Sequence, residues 1–289
     1  MAVGSNLAIL DGYPFEVRYS DGALVRARAS AEIAADAYVY FRGLFSGVEP
    51  DIALIVADKS DWSGRGPYGL PFFRDDPDEI RPGIVLMPAG TSDFWVGIAE
   101  DLRAASPRGY AKLLVTYPDG AGGVDLQPFF DLITIHELGH AFEVLGDLRL
   151  PTFWLSEIFV NLALHAFVAT QRPTSLPTLE VLSSVGAASR NLSARMRAHG
   201  YSTLEELQAH YTGGNDSMDA LNYVWYQHHW QRLAAKMFET DGEDGLVRFW
   251  ECFHATDRVG GGEVTAASLA PFLTKDVSPT LGRAIRDWH

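Results

Sequence analysis

The pattern of apolar and polar positions divides the chain into an N-terminal part that contains strands and a C-terminal part dominated by helices. Near the start, "PFEVRYS" and "ALVRARA" alternate as paired strands do, and "AEIAADAYVYFRGLF" then takes up helical spacing. Two later apolar runs, "DIALIVA" at 51–57 and "GIVLMPA" at 83–89, are short, contain β-branched residues and are bounded by Asp, Pro or Gly. We predict that both runs are strands of one sheet.

Helical spacing dominates the rest of the chain, and the Gly-rich stretch "YPDGAGGVDLQP" separates the two parts. We therefore predict an α+β protein with an N-terminal lobe at 1–129, built from a mixed β-sheet and helices, and a mainly α-helical lobe at 130–289. Helices are expected to start at Ser202, which has the spacing of a capping box with Glu205, and at Ser278, where proline occupies the first turn.

A long loop separates the two apolar runs. It covers 58–82 and is crowded with Gly, Pro and Asp, yet it holds the aromatic residues Trp62, Tyr68, Phe72 and Phe73. Loops of this length in compact domains are often functional, and aromatic residues in them often cover a cleft. Two interpretations therefore stay open, a lid over a functional site and a surface excursion pinned by its aromatic side chains.

Composition and charge exclude several classes of partner. The 289 residues carry a formal net charge of −14 and contain no run of Lys or Arg, so neither nucleic acid nor an anionic membrane surface is expected as a partner. No apolar run reaches the roughly eighteen residues that cross a bilayer, and no signal peptide is evident, so we expect a cytoplasmic protein. The single cysteine, Cys252, excludes a thiolate zinc cluster and restricts any zinc site to His, Asp and Glu. The oligomeric state is not indicated.

The segment at 133–142, "ITIHELGHAF", is the part of the sequence that indicates chemistry. On a helix, residues i and i+4 share a face, so His136 and His140 can direct ring nitrogens at one metal ion, and Glu137 projects beside them where it can hold a water molecule. The residues that flank these three are uncharged, as in a helix buried beneath an active site. Because this motif rarely arises by chance, we interpret it as a metal site rather than a pair of core histidines.

A catalytic zinc site needs a third protein ligand and an open position for water. A histidine six residues after His140 would continue the motif in one known way, but that position is Gly146. Of the next carboxylates, Glu143 leaves the face of the two histidines, and Asp147 follows the glycine expected to end the helix. Glu157 lies in the apolar stretch "FWLSEIFVNLALHAFV", where a buried carboxylate needs a partner, so we predict it as the third ligand.

These residues resemble the gluzincin metallopeptidases, most closely the catalytic domain of aminopeptidase N-like enzymes and more distantly thermolysin. The match consists of the H-E-x-x-H motif followed by Trp154, Leu155 and Glu157 on a second helix, and it extends more loosely over 23–253. The resemblance implies a thermolysin-like fold and Zn²⁺ bound by the two histidines and Glu157. It also implies hydrolysis of a peptide or protein substrate, with Glu137 as general base and then proton donor.

The resemblance implies further site residues. Asn161 stands where the thermolysin branch places a carboxylate that orients a ligand histidine, and an amide oxygen can accept the same hydrogen bond. The segment that contains "NYVWYQHHW" resembles the helix pair that carries the catalytic tyrosine of aminopeptidase N-like enzymes. Counting back from "GLVRFW" places Tyr226 at that position, with Tyr223 on a neighbouring turn and His228 and His229 as further alternatives for the oxyanion donor.

Substrate specificity and even activity stay open at the level of sequence. Aminopeptidase N-like enzymes bind a free substrate amine with a glutamate from the strand before the zinc helix, and the comparable strand here, 83–89, has none. Its backbone is still expected to be able to pair with an extended peptide. A second class of function is a catalytically inactive gluzincin-like binding or regulatory protein with a residual metal site, although a structural site has no use for Glu137. A serine hydrolase is not supported, because no G-x-S-x-G motif occurs.

Overall fold

The protein combines a mainly helical chain with one small mixed sheet, which confirms the α+β class predicted from the hydrophobic pattern. Its structure is a computed structural model that describes residues 6–62, 68–75, 83–189, 194, 198, 200–212, 220–255 and 264–288. The chain divides into two compact units. One consists of Met1–Glu100 and Tyr117–Asp147, and the other of Asp101–Thr116 and Leu148–His289.

The strands of the sheet are β1 (Ala8–Ile9), β2 (Glu16–Tyr19), β3 (Ile52–Ala57), β4 (Phe72–Asp75) and β5 (Gly83–Pro88). The helices in the described part of the chain are α1 (Leu24–Leu44), α2 (Asp93–Ala105), α3 (Pro107–Thr116), α4 (Gln127–Leu145), α5 (Phe153–Gln171), α6 (Leu176–Ala188), α7 (Leu204–Thr212), α8 (Ala220–Phe253), α9 (Ala266–Phe272) and α10 (Pro279–Arg286). A short 3₁₀ helix, Pro173–Ser175, precedes α6, and a π-helical turn, Leu273–Val277, precedes α10.

The sheet belongs to the first unit and has the strand order β1-β2-β3-β5-β4. Strands β2, β3 and β5 are parallel neighbours, and β1 and β4 pair antiparallel at the two edges. The two predicted apolar runs form β3 and β5, and every residue of both strands is buried. A strand buried on both faces has no solvent side on which to place polar residues, which explains why both runs are continuously apolar rather than alternating.

Packing between α1 and α4 fixes the helix that carries the H-E-x-x-H motif. Phe142 of α4 lies among Tyr38, Phe41 and Phe45 of α1, with ring centroids 5.3–5.9 Å apart. Tilted and edge-on aromatic contacts at these distances are favourable beyond the burial of their area. Because Phe142 lies two residues after His140, this aromatic cluster determines the rotation of α4 about its axis and thereby the direction of its histidine face.

The segment "ALVRARA" is helical, so the prediction of a strand there is wrong. It opens α1, whose buried residues include Ala27, Ala31 and Ala34 at spacings of four and three. These spacings place the alanines on one helix face. Ala, Leu and Arg are also strong helix formers, and over so short a segment their alternation fits a helix and a strand equally well.

The predicted helix starts are correct in one case and displaced in the other. Ser278 caps α10, and proline occupies the first turn, as expected. The capping box proposed for Ser202 and Glu205 is wrong by one residue, because Thr203 and Glu206 have the same spacing and form the reciprocal bonds. The Thr203 hydroxyl accepts from the Glu206 main-chain N–H at 3.1 Å, and the Glu206 carboxylate accepts from the Thr203 main-chain N–H at 3.0 Å.

The predicted loop at 58–82 contains the edge strand β4, and its positions 63–67 and 76–82 lie outside the described residues, so the lid interpretation stays a prediction. Tyr68 accepts a hydrogen bond from the Gly90 main chain at 3.0 Å, which pins one described part of the loop. Strand β4 pairs with 83–86 of β5, which pairs with β3 on its other side. Both edges of β5 are therefore occupied at 83–86, and the prediction that β5 can pair with an extended peptide is wrong for these residues.

Helix α5 is the central helix of the second unit and packs mainly against α8. By length and composition it is the one helix in the described residues that could cross a bilayer, but 78% of its most apolar 18-residue window is buried inside the protein. Such burial is typical of a helix in a protein core. The long helix α8 changes direction at Gly242, where φ is 61° and ψ is −156°, a backbone conformation that is essentially restricted to glycine.

A buried histidine lies where α6 and α8 pack closely. Gly186 of α6 contacts the imidazole of His228 so closely that a methyl group at this glycine would overlap the ring. Burial, reinforced by neighbouring His229, lowers the pKa of His228 from 6.5 to about 4. At a pH between these two pKa values, His228 is protonated in the unfolded chain and neutral in the folded protein. The free energy of unfolding therefore falls as the pH falls from about 7 towards 4.

We expect His228→Gln to remove this contribution to the pH dependence of stability. Through His228 alone, the wild-type protein should lose about 1–2 kcal/mol of its free energy of unfolding between pH 7 and pH 5. Urea unfolding at pH 8, 7 and 5 measures the difference, and the pH 8 value isolates the cost of the substitution in packing. Equal pH dependence in the two proteins would contradict a neutral buried imidazole.

Candidate metal centre

His136, His140 and Glu157 each offer a ligand atom, and these three atoms lie within 4.8 Å of one another. His136 and Glu157 are buried, and His140 is half-buried. In the described parts of the chain, no other group of three or more His, Cys, Asp or Glu residues has this arrangement. The structure therefore brings together the three residues that the sequence predicts as ligands, and the group can hold a metal ion.

The donor set fits a divalent transition metal ion. Two imidazoles and one carboxylate are a known ligand set of catalytic zinc, which they hold at about 2.0–2.1 Å while a fourth position stays open for water. Ligand atoms of such an ion lie about 3.3 Å apart, the same order as the separation in this group. The same donor types also suit Fe²⁺ and other first-row ions, so the ligand set defines a class of metal rather than one element.

Helix α4 presents the two histidines as the motif predicts. The ring centroids of His136 and His140 lie 5.1 Å apart, one helical turn from each other. The prediction that Glu143 leaves the face of the two histidines is wrong, because its carboxylate lies 2.9 Å from Nδ1 of His140. A carboxylate at Nδ1 holds the proton on that nitrogen, so the lone pair of the ring is on Nε2, the tautomer suited to a metal ligand. The spacing of three residues between His140 and Glu143 is the signal that could have indicated this pair.

Glu137 follows His136 directly and is 7% exposed. A carboxylate so deeply buried is rare in proteins unless it is paired or functional. It is not a member of the three-residue ligand group, and its role as general base stays a prediction.

Helix α5 begins after Thr152, whose hydroxyl accepts a hydrogen bond from the main-chain N–H of Leu155 at 3.3 Å. Glu157 lies in the second turn of this helix. Two residues of α8 donate to its carboxylate. The Tyr223 hydroxyl donates to Oε1 at 3.0 Å, and the Gln227 side-chain nitrogen donates to Oε2 at 2.7 Å. This nitrogen also lies 2.6 Å from the Tyr223 hydroxyl, which closes a ring of three hydrogen bonds. Gln227 was not among the residues predicted from the sequence, although it lies one helical turn after Tyr223.

Asn161 is near Glu157, but its contacts differ from those predicted. Its side-chain nitrogen donates to the main-chain carbonyl of Glu157 at 2.8 Å and to the side-chain oxygen of Gln227 at 3.0 Å. The hydrogen bonds described for Asn161 therefore lead to Gln227 rather than to a ligand histidine. The spacing of four residues placed Asn161 correctly beside Glu157, but it did not indicate which neighbour the amide contacts.

The two predicted tyrosines occupy different environments. Tyr223 contacts the carboxylate of Glu157, whereas Tyr226 donates to the main-chain carbonyl of Thr203 at 2.7 Å and stacks on Trp288 at 6.0 Å between ring centroids. Tyr226 is fully buried, and burial, reinforced by two glutamates of α7, raises its pKa. The structure thus brings Tyr223, and not Tyr226, to the predicted ligand.

The alternative donors on α8 have other neighbours. His228 packs against Gly186, and His229 packs against the rings of Trp225 and Trp288, with centroids 4.6 and 5.9 Å away. His229 also lines a cavity of about 930 Å³ in the second unit, and none of the three predicted metal ligands lines this cavity. Its size is sufficient for a small molecule, but the chemistry of the H-E-x-x-H motif lies outside its lining.

Comparisons of the chain with protein-family models, with curated proteins and with solved structures find no match. Function is therefore indicated by the geometry of the residues themselves, above all by the group formed by His136, His140 and Glu157, and by the resemblance of the motif.

We expect purified protein to bind about one metal ion per chain through this group. Elemental mass spectrometry of wild type, His140→Ala and Glu157→Ala measures metal content, and each substitution should abolish tight binding because it removes one of three ligands. His165→Gln is the matched control, since it removes a buried histidine from the same helix as Glu157 without touching the group. Metal content in Glu157→Ala equal to that of wild type would contradict the role of this glutamate.

Proposed function

We propose that the protein is a zinc-dependent peptidase of the gluzincin type, with a thermolysin-like arrangement of its catalytic elements. The observation that carries this proposal is the proximity of ligand atoms from His136, His140 and Glu157, together with the buried Glu137 beside the first histidine. A purely structural site needs its ligands but has no requirement for this fourth residue. The substrate would be a peptide or protein.

The same residues support hydrolysis more strongly than oxygen chemistry. Two histidines and one carboxylate also form the facial triad of non-haem iron oxygenases, so the donor set alone does not decide between the two classes. Glu137 favours hydrolysis, because a carboxylate adjacent to a ligand histidine can serve as the proton acceptor that attack by water requires. The metal content measured on native protein distinguishes zinc from iron directly.

A zinc ion held by these ligands would supply Lewis acidity towards water and towards the carbonyl of the scissile bond. Glu137 would take the proton of the attacking water on its carboxylate and deliver it to the leaving amine. Burial keeps competing solvent away from this carboxylate. His140, oriented by Glu143, and Glu157, oriented from α8, would keep their ligand atoms in place during the reaction.

We assign the donor that stabilises the developing oxyanion to Tyr223. Its hydroxyl donates to the carboxylate of the predicted ligand Glu157 at 3.0 Å and would turn from it to the oxyanion, whereas Tyr226 donates to a main-chain carbonyl and stacks inside an aromatic cluster. A neutral hydroxyl at such a position stabilises negative charge without introducing a cation near the metal. Identification of the cleavage products would show whether the enzyme cuts internal or terminal peptide bonds.

We expect Glu137→Gln to retain the metal and lose hydrolysis. Glutamine has nearly the shape of glutamate but cannot accept the proton of water, so turnover should fall by about 10²-fold or more while metal content stays near wild type. Cleavage of a peptide library followed by mass spectrometry measures turnover and shows whether cuts are internal or terminal. Metal binding with no cleavage of any library peptide by the wild type would favour the second function, a gluzincin-like binding protein.

Substitution of the two tyrosines by phenylalanine should separate their roles. Tyr223→Phe should lower kcat by about tenfold or more with little change in KM, because the lost hydrogen bond acts mainly in the transition state. Tyr226→Phe should lower the melting temperature and leave kcat within about twofold of wild type, since it removes a buried structural hydrogen bond. The reverse pattern would move the catalytic role to Tyr226.

A further inference from the structure

The side-chain amide of Gln227 is the central group of the hydrogen-bond ring between α8 and Glu157, and it touches neither the substrate nor the metal in the mechanism above. We propose that Gln227 is a positioning residue that sets the metal affinity of the protein by fixing the carboxylate of Glu157. The inference rests on the metal site and not on peptide hydrolysis, so it can hold even for a protein that binds metal without cleaving peptides.

Three hydrogen-bond distances define how Gln227 holds the ligand. Its nitrogen is 2.7 Å from Oε2 of Glu157 and 2.6 Å from the hydroxyl of Tyr223, and this hydroxyl is 3.0 Å from Oε1 of Glu157. Each carboxylate oxygen therefore accepts one hydrogen bond from α8. Because a carboxylate oxygen has two lone pairs, each can accept this bond and still offer an electron pair to a cation.

Asn161 determines which end of the Gln227 amide faces the carboxylate. The side-chain nitrogen of Asn161 donates to the side-chain oxygen of Gln227 at 3.0 Å and to the main-chain carbonyl of Glu157 at 2.8 Å. If the Gln227 amide were flipped by 180°, its oxygen would face the carboxylate of Glu157 and its nitrogen would face the side-chain nitrogen of Asn161. Both contacts would be unfavourable. Asn161 thus contributes indirectly, by orienting the amide that orients the ligand.

The chemical type of the two donors suits a carboxylate that binds a cation. Glu157 is 3% exposed, so it needs partners to offset the loss of water. Lysine or arginine at these positions would neutralise the carboxylate and repel a metal ion. The amide of Gln227 and the hydroxyl of Tyr223 satisfy the oxygens without adding charge, so the full negative charge of Glu157 remains available to the metal.

The first test compares metal affinity in two glutamine-to-methionine variants of α8. Gln227→Met keeps the approximate length of the side chain but removes its hydrogen bonds, and the Kd for Zn²⁺, measured by competition with a chromophoric chelator, should rise by about 10- to 100-fold. Gln231→Met is the matched control. Gln231 lies one turn further along the same helix and is 5% exposed, and its side-chain nitrogen has no hydrogen-bond partner among the described residues, so the Kd of Gln231→Met should stay within about twofold of wild type.

A double-mutant cycle with Glu157→Ala tests whether Gln227 acts through the carboxylate. In the Glu157→Ala background, where the two histidines bind Zn²⁺ more weakly, Gln227→Met should change the Kd by less than about twofold. Thermal melting verifies that each variant is folded, and Gln227→Asn, which withdraws the amide by one methylene, replaces Gln227→Met if that variant is not. A wild-type Kd in folded Gln227→Met, or an equal loss of affinity in both backgrounds, would overturn the proposal.

Discussion

The burial of one carboxylate, Glu157, in a helix without another Asp or Glu and without Lys or Arg is the constraint on which the second unit depends. An ionised group with almost no access to water is tolerated only where other groups replace the lost solvation. Helix α8 supplies these groups as a hydroxyl and an amide, and α5 supplies Asn161 to hold the amide in place. The close packing of α5 against α8 is therefore apolar along most of its length and polar at one point, where two neutral donors contact the Glu157 carboxylate.

Much of the site follows from the sequence because its spacing is dictated by helical geometry. His136 and His140 had to share a face once their segment was known to be helical, and a glutamate within "FWLSEIFVNLALHAFV" had to be buried. The two strands that are apolar throughout were equally legible. In each case the pattern over several residues allowed a single structural interpretation, and the structure agrees with it.

What the sequence could not provide are the choices between neighbours with the same local pattern. Tyr223 and Tyr226 lie three residues apart on one helix, and only the packing of α8 decides which hydroxyl meets Glu157 and which meets Thr203. Thr203 and Glu206 have the same capping spacing as the pair one residue earlier. The start of α1 alternates like a strand but is helical because its alanines pack on one face. These outcomes depend on tertiary contacts between segments far apart in the chain.

The close approach of Gly186 to His228 has a consequence for how this sequence can vary. With the ring of His228 against the glycine, no larger residue fits at 186 unless 228 becomes smaller at the same time. The two positions are thus expected to change together over evolutionary time, as a compensated pair rather than as independent sites. A related chain with a side chain at the first position should have lost the imidazole at the second, and with it this buried group that resists protonation.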